Sequence, residues 1–278
     1  MSYEKVHSLL KELKLEGISR ILDSSLQNWS KDDKDVLELI EELLIAQKKE
    51  NENKKYMIAL RYSGLPFHKT LEEFDFSFQP SIDRKQIMEL KTLRFIYEKE
   101  NVVFLGPPGV GKTHLAVGLG MKALREGKKT YFVNAITLVD RLKKAFVERR
   151  LEKTVRFYKS LDLLIIDELG YLPLDTEGAK LFFELVSQKY EQGSIILTSN
   201  RSFTEWDKIF KGIRQTLASL TIVSFCGKSY TTDRKKNRKR GLLIYRQRLI
   251  EAENYANLTM KLRNFDRCFY AFLIDGDI

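Results

Sequence analysis

Residues 101–113 read NVVFLGPPGVGKT, and this stretch decides the fold. NVVFL is a short apolar strand. Gly106, Pro107, Pro108, Gly109, Val110, Gly111, Lys112 and Thr113 then complete the pattern G-x-x-x-x-G-K-[ST], and residues 112–126 continue with helical periodicity. Strand, glycine-rich turn and helix are the context this phosphate-loop pattern requires. The glycines let backbone N–H groups turn inward around phosphate oxygens. A helix starting at Lys112 aims the positive end of its dipole at the same point. Lys112 is expected to reach the β- and γ-phosphates of a nucleotide, and the Thr113 hydroxyl to ligate Mg²⁺.

Outward from the loop, the chain alternates. LDLLII (161–166) is an apolar strand running into Asp167 and Glu168. A buried strand that ends in Asp delivers that carboxylate to the carboxyl edge of a parallel sheet, beside the phosphates. Asp167 is expected to hold Mg²⁺, directly or through water, and Glu168 to orient and activate an attacking water. SIILT (194–198) is a further strand, followed by Ser199 and Asn200. Asn200 is placed to hydrogen-bond the γ-phosphate or the water, or else to cap the following turn. With a strand at 129–133 and helices at 83–98, 136–159 and 176–191, the pattern predicts an α/β protein whose parallel sheet is covered on both faces. Before this core, residues 3–24 read as one amphipathic helix. Ser30 reads as the N-cap of a second helix that runs to about Leu60. Residues 61–80, with Gly64, Pro66 and Pro80, read as a linker. Their Phe67, Phe74, Phe76 and Phe78 either plug a groove on the core or wall a nucleotide base.

Composition narrows the partners. The 278 residues hold 48 Lys and Arg against 38 Asp and Glu, a net charge of +10. The surplus is uneven: −2 over residues 1–60 and +8 over residues 201–278. Such a surplus suits a polyanion, nucleic acid foremost. Residues 234–248 carry eight basic side chains and no acid, and helix 136–159 is a second basic element. No base-reading motif accompanies them, so backbone contact with little sequence preference is the expectation. Cys226 and Cys268 are too few for a disulfide scaffold, and with three histidines they do not suggest a zinc site. No stretch approaches the roughly 20 apolar residues of a membrane span, and a cytoplasmic protein without membrane partners is expected. His114, Trp29 and Trp206 read as packing residues.

The order strand–GPPGVGKT–helix, IIDE, TSN resembles an AAA+ ATPase. LLIIDELGYLPLDTEGAKLFFELVSQKYEQGSIILTSNRSFTEWDKIF (163–210), TLEEFDFSFQPSIDRKQI (70–87) and ENVVFLGPPGVGKTHLA (100–116) look more narrowly like the IstB-type ATPases of insertion sequences. That resemblance implies a P-loop NTPase core at 81–230 behind a helical N-terminal module (1–60) and the linker, with a basic, atypical tail at 231–278. It implies ATP and Mg²⁺ as ligands, ATP hydrolysis, and ATP-dependent homo-oligomerisation on duplex DNA in aid of a transposase. A DnaC-type helicase loader of DNA replication, with a replicative helicase as partner, is the alternative within the same subgroup. The catalytic positions it implies are Lys112, Glu168 and Asn200. The Asp-Arg-Leu box expected after Lys211, whose arginine completes a neighbouring subunit's site, is missing. Arg214 and Arg201 are the available arginines. Impaired turnover, and at the limit a hydrolysis-deficient DNA-binding subunit, is the corresponding expectation. Residues 244–278 match nothing in the family pattern.

Overall fold

The computed structural model describes residues 3–32, 35–77, 82–171, 173–190, 192–201, 206–209, 229–230 and 269–273. The chain divides into two compact units, Met1–Arg61 and Tyr62–Ile278.

The first unit is helical. Helix α1 spans Tyr3–Glu12, α2 Glu16–Asp32 and α3 Val36–Tyr62. The single helix expected at 3–24 is therefore two. Lys14 adopts φ 55°, the Leu15 N–H reaches the Leu10 carbonyl at 2.8 Å, and the Lys14 N–H reaches Lys11 at 3.1 Å. This pair of bonds closes α1 in a Schellman motif. The expected N-cap Ser30 lies inside α2. Asp35 caps α3 instead, its carboxylate accepting the Leu37 N–H at 3.4 Å. Gly17 lets α2 touch α3, since a Cβ there would sit 2.7 Å from the Ala46 carbonyl oxygen. Gln47 accepts the Gly17 N–H at 2.9 Å across that contact.

The second unit opens with α4 (Arg84–Lys91) and α5 (Arg94–Tyr97), where one helix was expected at 83–98. Leu93, at φ 59°, separates them. Then follow β1 (Asn101–Leu105), α6 (Lys112–Arg125), β2 (Thr130–Asn134), α7 (Ala135–Val147), α8 (Leu151–Lys159), β3 (Leu163–Leu169), α9 (Thr176–Lys189), β4 (Ser194–Ser199), α10 (Trp206–Ile209), β5 (Ser229–Tyr230) and β6 (Phe269–Leu273). The helix expected at 136–159 is broken after Val147. Arg149 takes φ 55°, and the Arg150 N–H returns to the Ala145 carbonyl at 2.7 Å.

The strands form one sheet in the order β2-β3-β4-β1-β6-β5, every pair parallel. Alternate residues of each central strand feed opposite cores. Val103, Leu105, Leu164, Ile166, Ile195 and Leu197 pack with the inner faces of α7, α8 and α9. Val102, Phe104, Leu163, Ile165 and Ile196 pack with α4 and α6. Burial on both faces explains the near-continuous apolar runs of these strands. The α/β parallel-sheet expectation holds. In addition, FYAFL from the stretch assigned to the tail pairs with β1 along its whole length, from Asn101–Phe269 to Leu105–Leu273. Part of the expected linker is likewise packed into this unit, with Leu71 and Phe74 buried against α6. Phe78 lies outside the described residues.

Candidate functional site

The site lies where β1, β3 and β4 end. At the close of β1 the chain turns through the phosphate loop into α6, whose N-cap is Gly111 at φ 89°. Only glycine fits there, because a Cβ would lie 2.5 Å from the Phe74 ring. Gly109, at φ 83°, has open space around it. Its requirement is the backbone conformation alone.

Lys112, the first residue of α6, is buried and donates to the carbonyls of Gly106 at 2.7 Å and Pro107 at 2.6 Å. Burial holds its pKa below the ordinary lysine value, against the opposing charges of Asp167 and Glu168. Thr113 donates its hydroxyl to Asp167, 3.0 Å and 3.1 Å from the two carboxylate oxygens. Asp167 is also buried, and burial pushes its carboxyl above the usual range although hydroxyl donors from Thr198 and Thr113 oppose the shift. Thr198 on β4 donates to Asp167 and accepts the Glu168 N–H at 2.9 Å. One hydroxyl thus ties two successive carboxylate residues of β3 to the neighbouring strand.

Glu168 has φ 60°, in the left-handed region, at a register shift between Ile166 and Leu169. A non-glycine residue there costs about 1–3 kcal/mol and persists where its surroundings enforce it. Its exposed carboxylate accepts from the Asn134 Nδ2 at 2.5 Å. The Oδ1 of Asn134 meanwhile caps α7 by accepting the Ile136 N–H at 2.9 Å. Asn200 follows β4 directly, next to the strand residue whose carbonyl accepts the Gly106 N–H at 3.2 Å. The Oδ1 of Asn200 is buried without a hydrogen-bond partner. An unsatisfied buried polar atom costs about 1–3 kcal/mol.

All the expected site residues from Gly106 to Thr113, with Asp167, Glu168 and Asn200, thus converge on one edge of the sheet. Sequence reading missed two participants, Thr198 and Asn134. Asn134 closes β2 and Thr198 lies one residue before the end of β4, a polar residue at the end of an apolar run being the available signal. His114 bonds the Thr70 carbonyl at 2.9 Å and packs its ring 5.2 Å from that of Phe74, a structural role. Trp206 is fully buried and donates to the Arg201 carbonyl at 3.3 Å. Arg201 itself is exposed, and Arg214 lies outside the described residues, as does the basic stretch 234–248. On the other basic element, Lys143 pairs with Asp175 at 2.6 Å and Arg141 donates to the Tyr131 hydroxyl at 2.7 Å. Lys144, Arg149, Lys153 and Lys159 are exposed. No described helix is long and apolar enough to cross a membrane.

A phosphate loop between β1 and α6, with an Asp-Glu pair ending β3, defines a P-loop nucleotide-binding protein. More narrowly, the chain belongs to the IstB-like ATP binding protein family, whose model matches residues 8–239. It is 39% identical over 236 residues to a protein of Bacillus thuringiensis subsp. berliner named as an ATP-binding protein of insertion sequence IS232, covering 82% of this chain and 94% of that one. It is 40% identical over 242 residues to the corresponding protein of insertion sequence IS21 from Pseudomonas aeruginosa, covering 84% and 91%. Among solved structures, AMPPCP-bound DnaA from Aquifex aeolicus is similar at TM-score 0.47 and 23% identity, covering 56% of this chain and 48% of that one.

Proposed function

We propose that this protein is an ATP-hydrolysing, DNA-binding helper of transposition, which oligomerises on duplex DNA with ATP and assists a transposase. The observation that carries the reading is the convergence of Lys112, Thr113, Asp167, Glu168 and Asn200 on one edge of the sheet, in a chain of an insertion-sequence ATP-binding family. The loop N–H groups and Lys112 take the phosphate oxygens, Lys112 exchanging the Gly106 and Pro107 carbonyls for them. Thr113 and Asp167, already in contact, are the oxygen donors suited to Mg²⁺. When bound there, Mg²⁺ neutralises charge on the phosphates. Glu168 orients the attacking water and accepts its proton. Asn134 holds one of its carboxylate oxygens, so that bond sets the resting position of the base and leaves the other oxygen to accept. Asn200 uses its amide on the γ-phosphate or the water.

The exposed bases of α7 and α8, with the 234–248 stretch, suit phosphate backbones, and the N-terminal unit is the candidate to hold the transposase. The test is binding of unrelated duplex sequences, with ATP, across salt. If about six phosphates are neutralised, log K falls with log salt at a slope near −5, whatever the sequence. A slope near zero overturns the DNA reading. Co-purification with a replicative helicase in place of a transposase reassigns the partner.

A further inference from the structure

Where the two carboxylates stand, β3 carries one residue more than the strand beside it. Ile166 pairs with Leu197 and Leu169 with Ser199, so Asp167 and Glu168 together oppose the single residue Thr198. That is a β-bulge, and a bulge re-aims the side chains it displaces. In a regular strand, consecutive side chains simply point to opposite faces of the sheet. Here Asp167 is buried beside Thr113, while Glu168, at φ 60°, turns an exposed carboxylate to Asn134. Side chains of β4 hold this arrangement. The Ser199 hydroxyl donates to the Leu169 carbonyl at 2.6 Å on the far side of the bulge. Within it, Thr198 Oγ1 accepts the Glu168 N–H at 2.9 Å and donates to Asp167 Oδ1. An N–H can only donate, so the hydroxyl must accept there, and its single proton is left for Asp167. At 1% exposure, Thr198 is shut off from bulk water.

We infer that Thr198 is a positioning residue for hydrolysis, whose hydroxyl holds the bulge that gives Asp167 and Glu168 their separate places. The inference rests on the ATPase reading above. Valine has nearly the shape of threonine and lacks the hydroxyl. In Thr198→Val the Asp167 carboxylate keeps Thr113 as a donor, whereas the Glu168 N–H loses the acceptor that Thr198 supplies. The base is therefore disturbed more than the residues that hold the phosphates. Lys112 is anchored elsewhere, on the Gly106 and Pro107 carbonyls. Turnover should suffer and nucleotide binding should not.

Steady-state phosphate release by the full chain, with ATP affinity measured alongside, compares Thr198→Val and Thr198→Ser with wild type. The expected result for Thr198→Val is a kcat about 10–100-fold lower, the usual loss when the partner that orients a functional carboxylate is removed. Its ATP affinity should be unchanged. Thr198→Ser keeps the hydroxyl and should stay close to wild type in both. A residue that served stability alone would lower the melting temperature and leave kcat per folded molecule untouched. That outcome overturns the proposal. So does a Thr198→Ser variant as slow as Thr198→Val, or a loss of ATP affinity in Thr198→Val with kcat retained. Should Thr198→Val not fold, Thr198→Ala takes its place in the comparison. A wild type that binds ATP and releases no phosphate overturns the ATPase reading itself, and the proposal with it.

Discussion

Each end of the central sheet buries a lysine, and the two are held differently. At the amino end, Lys189 is fully buried and donates to the Leu161 carbonyl at 2.6 Å. Its neighbours are equally settled on backbone: Ser194 on the Phe95 carbonyl at 2.9 Å, Asn101 on the Ile195 N–H at 2.6 Å, Asp162 on the Lys129 N–H at 2.7 Å. At the carboxyl end, Lys112 shares its surroundings with two carboxylates, one residue at positive φ and an amide oxygen without a partner. Both ends contain buried polar groups, so burial alone does not mark a site. The difference lies in what surrounds each lysine. A lysine beside Asp167, the positive-φ Glu168 and a glycine-rich loop suits a phosphate ligand, whereas a lysine settled on a carbonyl at the start of a strand belongs to the architecture.

Substitutions can break or sharpen that contrast. The largest effect belongs to Glu168→Gln, which keeps an acceptor for Asn134 but no base. Phosphate release should fall about 10²–10⁴-fold with nucleotide affinity retained, as measured by turnover alongside binding. Lys112→Ala should weaken ATP by about 100-fold, the loss of roughly two charge-assisted hydrogen bonds. Because it also removes a buried charge, the melting temperature of the ligand-free protein should hold or rise.

At the other end the readouts reverse. Lys189→Met should leave ATP affinity within about twofold and alter stability through pH instead. Burial lowers the folded pKa of Lys189 to about 8 from the ordinary 10.5, with the charge of Asp162 opposing. Between those values the unfolded chain takes up the proton that the folded chain gives up. Stability from this group therefore rises as pH goes from about 8 to about 10.5, by about 1–3 kcal/mol. Denaturant titrations should show that rise in wild type and its disappearance in Lys189→Met. The smallest effect is that of Asn134→Ala, which frees Glu168 and uncaps α7. A change of a few-fold in basal turnover is expected, with about 1 kcal/mol of stability lost from the cap.

Much of this contrast is legible in the chain, and what is not has identifiable causes. The phosphate loop, the apolar run into Asp167 and Glu168, and TSN at the end of β4 are local patterns whose chemistry is set by residue type and spacing. The helix breaks are less visible. Three helices end on Schellman-type turns whose left-handed residue is Lys14, Lys99 or Arg149, where glycine is the usual signal. At the end of α6 the left-handed residue is Gly127, and there the expected helix, 112–126, agrees with Lys112–Arg125. Ser30 and Asp35 both sit among polar residues, and only packing chooses between them as the cap. Thr198 and Asn134 act across 31 and 34 positions of sequence, on Asp167 and Glu168 respectively. No local periodicity reports such contacts. FYAFL at 269–273 has strand composition but stands far from the other strands in sequence. Only the otherwise open edge of β1 explains its place.

The most direct test of the central claim is steady-state phosphate release by the purified chain, with and without duplex DNA, beside Glu168→Gln. Release that DNA stimulates and Glu168→Gln abolishes is the predicted result, and it makes the carboxyl edge of the sheet a working ATPase switch. ATP binding with no release under either condition contradicts it and leaves a nucleotide-gated DNA-binding subunit.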